Sequence, residues 1–187
     1  MSLGPSETLI FRLEQCQMMV KESELIFLLG IGGRALMVYV RDILRKKGRD
    51  VRSVSPRATV LEALEVMAEH NVGAVLVLDE GKLAGVFSER DYARKVILQG
   101  RASKDTLVSE LMEGEVFCVG LSDDINTCMA IMTLQRIRHL PVLDEGGVVG
   151  VVSIGDVVKE TISDQKFTIR ELKKYITGSH GPEVEAD

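Results

Sequence analysis

Hydrophobic and polar positions follow a pattern that occurs twice along the chain. Each occurrence opens with a short apolar strand, predicted over 51–55 and 116–120, and continues with a helix that begins near Thr59 or Asp124. Threonine and aspartate are both effective helix N-caps. Inside the helices the apolar residues recur with the i, i+4, i+7 spacing of one buried face, at Val60, Leu64 and Met67 and again at Ile125, Met129 and Met132.

The pattern then continues with two strands and a second helix. The first of these strands is almost unbroken apolar sequence, which is typical of a strand covered on both faces. An Asp-Glu-Gly turn leads into the second strand. Each copy therefore has the element order β-α-β-β-α. The predicted buried strands are 74–78 and 140–143, and the turns are 79–81 and 144–146. The second strands end at Ser88 and Ser153, and the helices that follow cover 89–98 and 154–163.

The two copies are also similar residue by residue. Shifted by 65 positions, residues 75–91 (VLVLDEGKLAGVFSERD) align with 140–156 (LPVLDEGGVVGVVSIGD) without a gap. An element over 40–44 recurs over 108–112, at a spacing of 68. An ungapped match across helical and strand patterns indicates a tandem duplication.

The duplication divides the chain into four segments. Gly32 and Gly33 can be encoded by a ribosome-binding sequence upstream of Met37, so we expect natural translation to start at Met37 and the preceding residues to be an over-extended start. The predicted divisions are an N-terminal extension over 1–36, a first repeat over 37–105, a second repeat over 106–165, and a C-terminal amphipathic helix with a frayed tail over 166–187.

A single repeat buries too little apolar surface to be stable alone. We therefore expect a mixed α/β (α+β) fold in which two β-α-β-β-α repeats pack sheet to sheet with pseudo-two-fold symmetry. Such symmetry creates paired clefts at the interface, and clefts of this kind are common ligand sites.

Composition narrows the classes of function. Lys+Arg 23 against Asp+Glu 28 leaves a net charge of −5, so no basic field attracts nucleic acid or an anionic membrane. Aromatic residues make up 4%, which leaves few base-stacking platforms. The apolar stretch over 25–31 is far shorter than a membrane helix. Three cysteines and three histidines show no metal-ligand spacing, so we expect no metal site and a reduced, cytoplasmic location.

A Ser-x-x-Asp motif stands in both copies where a strand passes into a helix, at Ser88–Asp91 and Ser153–Asp156. The first turn of a helix offers free N–H groups to a phosphate, and an aspartate one turn later has two oxygens for the hydroxyls of a ribose. The same spacing is that of a capping box, which only satisfies the helix's own donors. The residues leave both interpretations open.

The two copies differ at the start of the buried strand, where a ligand site built from both copies needs two different walls. Arg138-His139 precedes the buried strand of the second copy, where the first copy has Gly73-Ala74. Charges there are costly unless they face a cleft and an anion, and small residues opposite leave space for a flat base. The alternative is a solvated rim of charges. The first Ser-x-x-Asp motif is also the more basic one, because Arg90 lies within it and Arg94 and Lys95 follow it.

Catalytic motifs do not occur in the sequence. There is no Walker loop, cluster of paired carboxylates, G-x-S-x-G or Cys/His pair at helical spacing. A nucleotide site without acid–base or metal machinery indicates sensing rather than turnover. Two other classes are weighed beside it, a structural dimerisation or protein-interaction module with vestigial pockets and a slow nucleotide hydrolase.

The stretches SERDYARKV, RIRHLPV and VVSIGDVVK, set in tandem β-α-β-β-α units, resemble the cystathionine beta-synthase (CBS) domain pair, or Bateman module. The resemblance covers about residues 39–163, and the chain is similar to stand-alone proteins of two CBS domains. The N-terminal extension is not required by the family pattern.

This resemblance implies a non-enzymatic regulatory module that binds AMP, ADP, ATP, NAD(H) or S-adenosylmethionine and changes its inter-domain packing. It also implies a homodimer. It places one ligand at Val51, Val72, Gly73, Ala74, Arg138, His139, Ser153 and Asp156. It places another at Ser88, Arg90, Asp91, Arg94, Val116, Ile137 and Arg138.

Overall fold

The computed structural model describes residues 38–145 and 147–176. The expectations for the N-terminal extension, for Gly146 and for the tail beyond Ile176 lie outside the described residues. The helices are α1 (Val40–Lys47), α2 (Val60–His70), α3 (Glu89–Asp91), α4 (Ile125–Gln135) and α5 (Ile154–Ile176), with a π-helical segment at Tyr92–Ile97 and a 3-10 helix at Val108–Glu110. The strands are β1 (Ser53–Val54), β2 (Ala74–Asp79), β3 (Lys82–Ser88), β4 (Val119–Gly120), β5 (His139–Asp144) and β6 (Gly147–Ser153).

The strands form two three-stranded sheets of identical topology, β1-β2-β3 and β4-β5-β6. In each sheet the first strand runs parallel to the middle strand, and the third is antiparallel to it. Strand β3 contacts β6 where the sheets meet. This arrangement confirms the predicted mixed α/β fold of two β-α-β-β-α repeats.

The two long repeat helices begin and end where the sequence dictates. The Thr59 hydroxyl accepts the N–H of Glu62 at 3.2 Å, and the Glu62 carboxylate accepts the N–H of Thr59 at 2.6 Å. Asp124 accepts two N–H groups of the first turn of α4. Both helices stop at a left-handed residue, Asn71 with φ 51° and Arg136 with φ 55°. Local capping therefore fixes the bounds of these helices.

The first element of each repeat packs in the core of the other repeat. The core of the first sheet, around Val75 and Phe87, includes Val108 and Leu111. The core of the second sheet includes residues of α1: Val40, Ile43 and Leu44. Backbone hydrogen bonds hold the exchange, from Val40 N to Asp123 O and from Val60 N to Thr106 O, both at 2.9 Å. We call Val40–Lys47 and residues 108–113 the exchanged segments.

Gly85 and Gly150, which align in the repeat, are the points where the exchanged segments touch the sheets. A Cβ at Gly85 would stand 2.7 Å from Met112 Sδ and 2.9 Å from the Glu113 carbonyl oxygen. A Cβ at Gly150 would stand 2.7 Å from Leu44 Cδ1. A Cβ at either position would force a neighbour to shift: the Glu113 backbone at Gly85 and the Leu44 side chain at Gly150.

The structure departs from the predicted elements in two places. A single helix, α5, covers 154–176, where two helices over 154–163 and 166–176 were expected. No glycine or proline separates the two segments, so nothing stops the first helix. The predicted helix over 89–98 is divided into α3 and the π-helical Tyr92–Ile97, for which we have no physical account.

We predict that Gly85→Ala and Gly150→Ala each lower the free energy of unfolding by about 1–3 kcal/mol, because the added methyl overpacks the contact with an exchanged segment. Gly85→Ala costs more, since the Glu113 backbone cannot move aside as the Leu44 side chain can. Urea unfolding measures both. Gly114→Ala is the matched control, because its Cβ meets nothing within 4 Å. Equal stability of all three variants would contradict the close approach.

Candidate functional site

A cleft with a volume of about 560 Å³ opens between the two repeats. Its walls come from the start of β5, from the segment before β4 and from the junction of β3 and α3. The lining residues are Gly73, Val86, Ser88, Glu89, Arg90, Asp91, Arg94, Lys95, Glu113, Glu115, Val116, Phe117, Gln135, Arg136, Ile137, Arg138 and His139.

Sequence-predicted site residues meet in this cleft. All members of the first-copy set line it: Ser88, Arg90, Asp91, Arg94, Val116, Ile137 and Arg138. Gly73 and His139, predicted for the second-copy set, line it as well. The first-copy residues come from both repeats, so the cleft is composite.

The Ser-x-x-Asp motif forms a capping box in both copies. Ser88 Oγ donates to Asp91 Oδ2 at 2.5 Å, and the Ser88 N–H donates to the same oxygen at 3.0 Å. Ser153 bonds Asp156 Oδ2 in the same way, at 2.7 and 2.8 Å. Each serine hydroxyl also accepts the N–H of its aspartate at 3.3 Å. The capping interpretation is thus realised, and ligand binding by these residues stays a prediction.

The two aspartates have cationic partners from different parts of the chain. Asp91 pairs with Lys95, one turn along its own helical segment, at 3.3 Å. Asp156 pairs with Lys47, at the end of the exchanged helix α1, at 2.5 Å. The carboxylate of the second motif therefore depends on the position of α1.

Residues 95 and 160 align in the repeat but carry opposite charges. Each of them forms an ion pair with an exchanged segment. Lys95 donates to the Glu113 carboxylate at 2.5 Å, and the buried Glu160 accepts from Lys46 at 2.5 Å. Glu113 and Lys46 both belong to the exchanged segments. The same ion pair thus joins a helix to an exchanged segment in each repeat, with its polarity reversed.

The second-copy set is only partly gathered in the cleft. A Cβ at Gly73 would stand 3.3 Å from Glu89 Oε2 and 3.8 Å from His139 Cε1, so these groups are neighbours. Val72 packs against the first core instead of facing the cleft. The side chains of Val51, Ala74, Ser153 and Asp156 are half-buried and do not line it.

His139 is the half-buried histidine of this region. Burial lowers its pKa, and the neighbouring Lys47 and Arg138 lower it further, against the opposing effect of Asp156 and Glu89. The imidazole is therefore held in its neutral form at neutral pH.

Arg90 joins the two repeats across the cleft. Its Nη1 donates to the Arg136 carbonyl oxygen at 2.7 Å. That carbonyl belongs to the left-handed residue that ends α4, which leaves it without a helical partner. Arg94 and Arg138 are exposed on the cleft walls. Arginines from both repeats thus line the cleft, together with the carboxylates of Glu89, Glu113 and Glu115.

Four residues of the region were not identified from the sequence: Lys46, Lys47, Glu113 and Arg136. The spacing of 68 between the first elements was the available signal, because it shows that these elements are repeated. It does not show which sheet each of them covers.

The described residues offer neither a metal-ion cluster nor a membrane-spanning helix. No group of three or more His, Cys, Asp and Glu side chains in 38–145 and 147–176 is placed to hold a metal ion. Among the helices of those same ranges, none combines the length and apolar character needed to cross a membrane.

Acid should weaken the contact between Lys47 and Asp156. Burial raises the pKa of Asp156, but hydrogen bonds from Lys47 and Ser153 outweigh it and hold the pKa below the ordinary value of 3.8. The stabilisation by the charged carboxylate is full above that value and is lost as pH falls through the lower folded pKa. We predict a smaller loss of unfolding free energy between neutral pH and about pH 3 in Lys47→Met than in the parent chain.

Arg45→Met is the control on the same helix, because Arg45 pairs with Asp42 on the exposed surface at 3.1 Å. Such a pair contributes about 0–1 kcal/mol. Denaturant titrations at both pH values supply the comparison. An unchanged pH dependence in Lys47→Met would show that Lys47 does not stabilise the Asp156 carboxylate.

The CBS domain family matches residues 37–97 and 108–163. The mitochondrial CBS domain-containing protein CBSX3 of Arabidopsis thaliana is 37% identical over 150 residues, which cover 75% of this chain and 73% of that protein. CBS domain-containing protein YhcV of Bacillus subtilis is 36% identical over 115 residues, 62% of this chain and 81% of the relative.

Solved structures give the same result. A protein with CBS domains from Burkholderia ambifaria has 48% identity and a TM-score of 0.67, over 68% of this chain and 96% of its own. A CBS domain protein from Pyrobaculum aerophilum, complexed with AMP, shares the fold at 24% identity and a TM-score of 0.57, over 64% of this chain and 89% of its own. Two aligned repeats, two equivalent sheets and these relatives confirm the resemblance found in the sequence: the chain belongs to the CBS domain family and carries a tandem pair of CBS domains.

Proposed function

We propose that this chain is a non-enzymatic regulatory module that binds an adenine nucleotide in the cleft between its CBS domains. The observation that carries the proposal is the group of cationic side chains in the cleft. Its lining brings together Arg90, Arg94, Lys95, Arg136 and Arg138 from both repeats, beside the carboxylates of Glu89, Asp91, Glu113 and Glu115. Convergent guanidinium groups suit the planar, multidentate recognition of phosphate.

The other parts of a nucleotide also find suitable groups in the cleft. Val86, Val116 and Ile137 provide an apolar wall for a base without aromatic stacking. Asp91 accepts two hydrogen bonds from Ser88 at one carboxylate oxygen and pairs with Lys95 at the other. A carboxylate has about four lone-pair sites, so it can accept further hydrogen bonds. We assign the ribose hydroxyls to this carboxylate and the phosphates to the arginines.

A second ligand position is proposed beside His139. It uses Ser153, Asp156, Arg138 and His139, with Val51, Val72, Gly73 and Ala74 on the side of the base. There Lys47 already neutralises Asp156, and a neutral His139 donates without adding charge. This position suits a ligand with fewer phosphates, such as AMP, or S-adenosylmethionine, whereas the first suits ADP, ATP or NAD(H).

Relatives support the ligand class. The Pyrobaculum aerophilum protein was crystallised with AMP. A CBS domain pair from another protein was crystallised with methylthioadenosine and S-adenosylmethionine, at 23% identity and a TM-score of 0.61. We infer that adenine-containing ligands also bind here, and that binding changes the packing of the two repeats, because Arg90 spans both of them.

Regulation rather than catalysis is proposed for two physical reasons. Burial raises the pKa of Cys128 to about 12, so this thiol stays protonated and is no nucleophile. The carboxylates of the two Ser-x-x-Asp motifs are each paired with a lysine and are not poised as general bases. We further propose a homodimer in the cytoplasm that acts on a protein partner, without nucleic acid or membrane binding.

One other function is favoured by an observation. Both Ser-x-x-Asp motifs are satisfied as helix caps without any ligand, which suits a structural dimerisation or interaction module with vestigial pockets. Thermal-shift measurements with nucleotides and titration of the aspartate variants separate this function from a nucleotide sensor.

We predict that AMP, ADP, ATP, NAD, NADH or S-adenosylmethionine raises the melting temperature of the chain. At a concentration one hundred times Kd, a ligand specific for the folded state adds about 2.7 kcal/mol, which corresponds to about 5–10 °C for a chain of this size. Differential scanning fluorimetry with the six compounds measures the shift, with inorganic phosphate and ribose as controls. No shift with any compound at millimolar concentration would leave the interaction module as the better account.

We predict that Asp91→Asn abolishes binding of the polyphosphate ligand and that Asp156→Asn abolishes binding at the second position. Asparagine keeps an acceptor for the serine N–H, so the cap survives while the charge is lost. Isothermal titration of each variant gives the affinity, and Asp105→Asn, on the exposed linker, is the control. If both variants bind every ligand as the parent does, the assigned roles of the aspartates are wrong.

A further inference from the structure

Helix α5 extends beyond the two CBS domains. It is 23 residues long, and Val157 and Glu160 near its start are buried against the second repeat. From Gln165 to Lys173 every side chain is exposed. The family match ends at residue 163, so this half of the helix lies beyond the matched CBS domains.

The exposed half is not polar all round. Five apolar side chains with exposed fractions between 45% and 79% recur along α5: Val158, Ile162, Ile169, Leu172 and Ile176. With Gln165 they fall at spacings of four, three, four, three and four residues, which is the heptad repeat of a coiled coil. Ile162, Ile169 and Ile176 occupy position a, and Val158, Gln165 and Leu172 occupy position d. We call these six residues the heptad stripe.

The heptad stripe faces away from the second repeat. The residues of α5 that pack on the domain are Val157 and Glu160, with Thr161 and Asp164 half-buried beside them. These four lie on one side of the stripe, on average about a third of a turn from its centre. An apolar stripe about 27 Å long is thus open to a partner, and a helix end of this length is only marginally stable in water without one.

The identities of the stripe residues favour two parallel strands. Position a is isoleucine throughout, and position d holds Val158, Gln165 and Leu172. A β-branched residue at a with leucine at d favours parallel dimers, and the layers around Leu172 meet this condition. Gln165 stands alone as the polar residue of the stripe, and its amide finds a matching donor and acceptor in the same layer only when a second Gln165 faces it. In-register pairing of two identical helices provides that layer.

The flanking charges disfavour the antiparallel alternative. Position e is lysine throughout, at Lys159, Lys166 and Lys173, and position g is threonine at Thr161 and Thr168. Antiparallel helices place e beside e, which brings like charges together, whereas parallel helices place e beside g. Lysine beside threonine carries no such penalty.

We propose that the heptad stripe of α5 pairs with the same stripe of a second copy of this chain as a parallel, in-register two-stranded coiled coil. The two CBS pairs then lie side by side at the same end of the coil. The proposal concerns the surface and orientation of association and is independent of nucleotide binding, so either can fail without the other.

Disulfide trapping on the full chain tests this pairing. In a Cys16→Ser background, Ile162→Cys, Ile169→Cys and Ile176→Cys are each oxidised in a glutathione buffer at low micromolar concentration. We expect each of the three to form a covalent dimer at least about tenfold faster than Arg170→Cys, since only a positions face their own copies in a parallel coil. The remaining cysteines, Cys118 and Cys128, are buried.

Each other outcome overturns the proposal in a defined way. Trapping at only one of the three positions indicates antiparallel helices, and equal trapping of Arg170→Cys indicates random collision. No trapping, with a monomer in sedimentation, indicates that the stripe is covered within one chain, for example by the apolar stretch over 25–31. No trapping, with a dimer in sedimentation, indicates that the copies associate through another surface.

A charge placed in the stripe supplies the matched control. Leu172→Asp should lower the trapping of Ile169→Cys at least about tenfold, because it places two carboxylates in one apolar layer. Phe167→Asp makes the same kind of change at an exposed position on the opposite face of the same helix. We expect trapping to survive it, and equal losses in the two variants would overturn the assignment of the stripe.

Discussion

The exchange of the first elements between the two repeats is the constraint on which the rest of the structure depends. Leu44 packs against the second sheet at Gly150, and Met112 packs against the first sheet at Gly85. Since each core is completed by a segment of the other copy, the repeats stabilise each other. The cleft between them is a consequence, because its walls belong to elements that the exchange locks together. The close approach at these two aligned glycines thus supports the cleft as well as the cores.

The two Ser-x-x-Asp motifs have the same backbone geometry but different charged partners. The carboxylate of Asp91 pairs with Lys95 of its own helical segment. The carboxylate of Asp156 pairs with Lys47, which belongs to the exchanged helix. A shift of α1 therefore alters the electrostatics around Asp156 and leaves the pair of Asp91 with Lys95 in place. Equivalent positions in the two repeats do not respond alike to a movement of the chain.

Local patterns were predictable from the sequence, and long-range partners were not. The N-caps Thr59 and Asp124, the buried strands and the junctions at the two Ser-x-x-Asp motifs follow from residue type and periodicity within a few positions. Lys46 and Lys47 pair with residues 114 and 109 positions away, and no local pattern encodes such partners. The residues predicted for the first-copy site do line one cleft, since the motif and the strand start fix them locally. The exchange could not be predicted from the sequence, because a repeated element can pack against either of two similar sheets.

The capping geometry bears on how a ligand signal would arise in such a module. Because each serine and aspartate already satisfy the start of their helix, a ligand adds contacts to an organised site instead of ordering it, which reduces the entropic cost of binding. The caps, worth about 1 kcal/mol each, then stay the same with and without ligand and transmit nothing. The contacts that must change are those an anion competes for, namely Arg90 on the Arg136 carbonyl and Lys47 on Asp156. Both join one repeat to an element of the other or to the exchanged helix. A phosphate bound as proposed that draws either cation away would therefore act directly on the interface between the repeats.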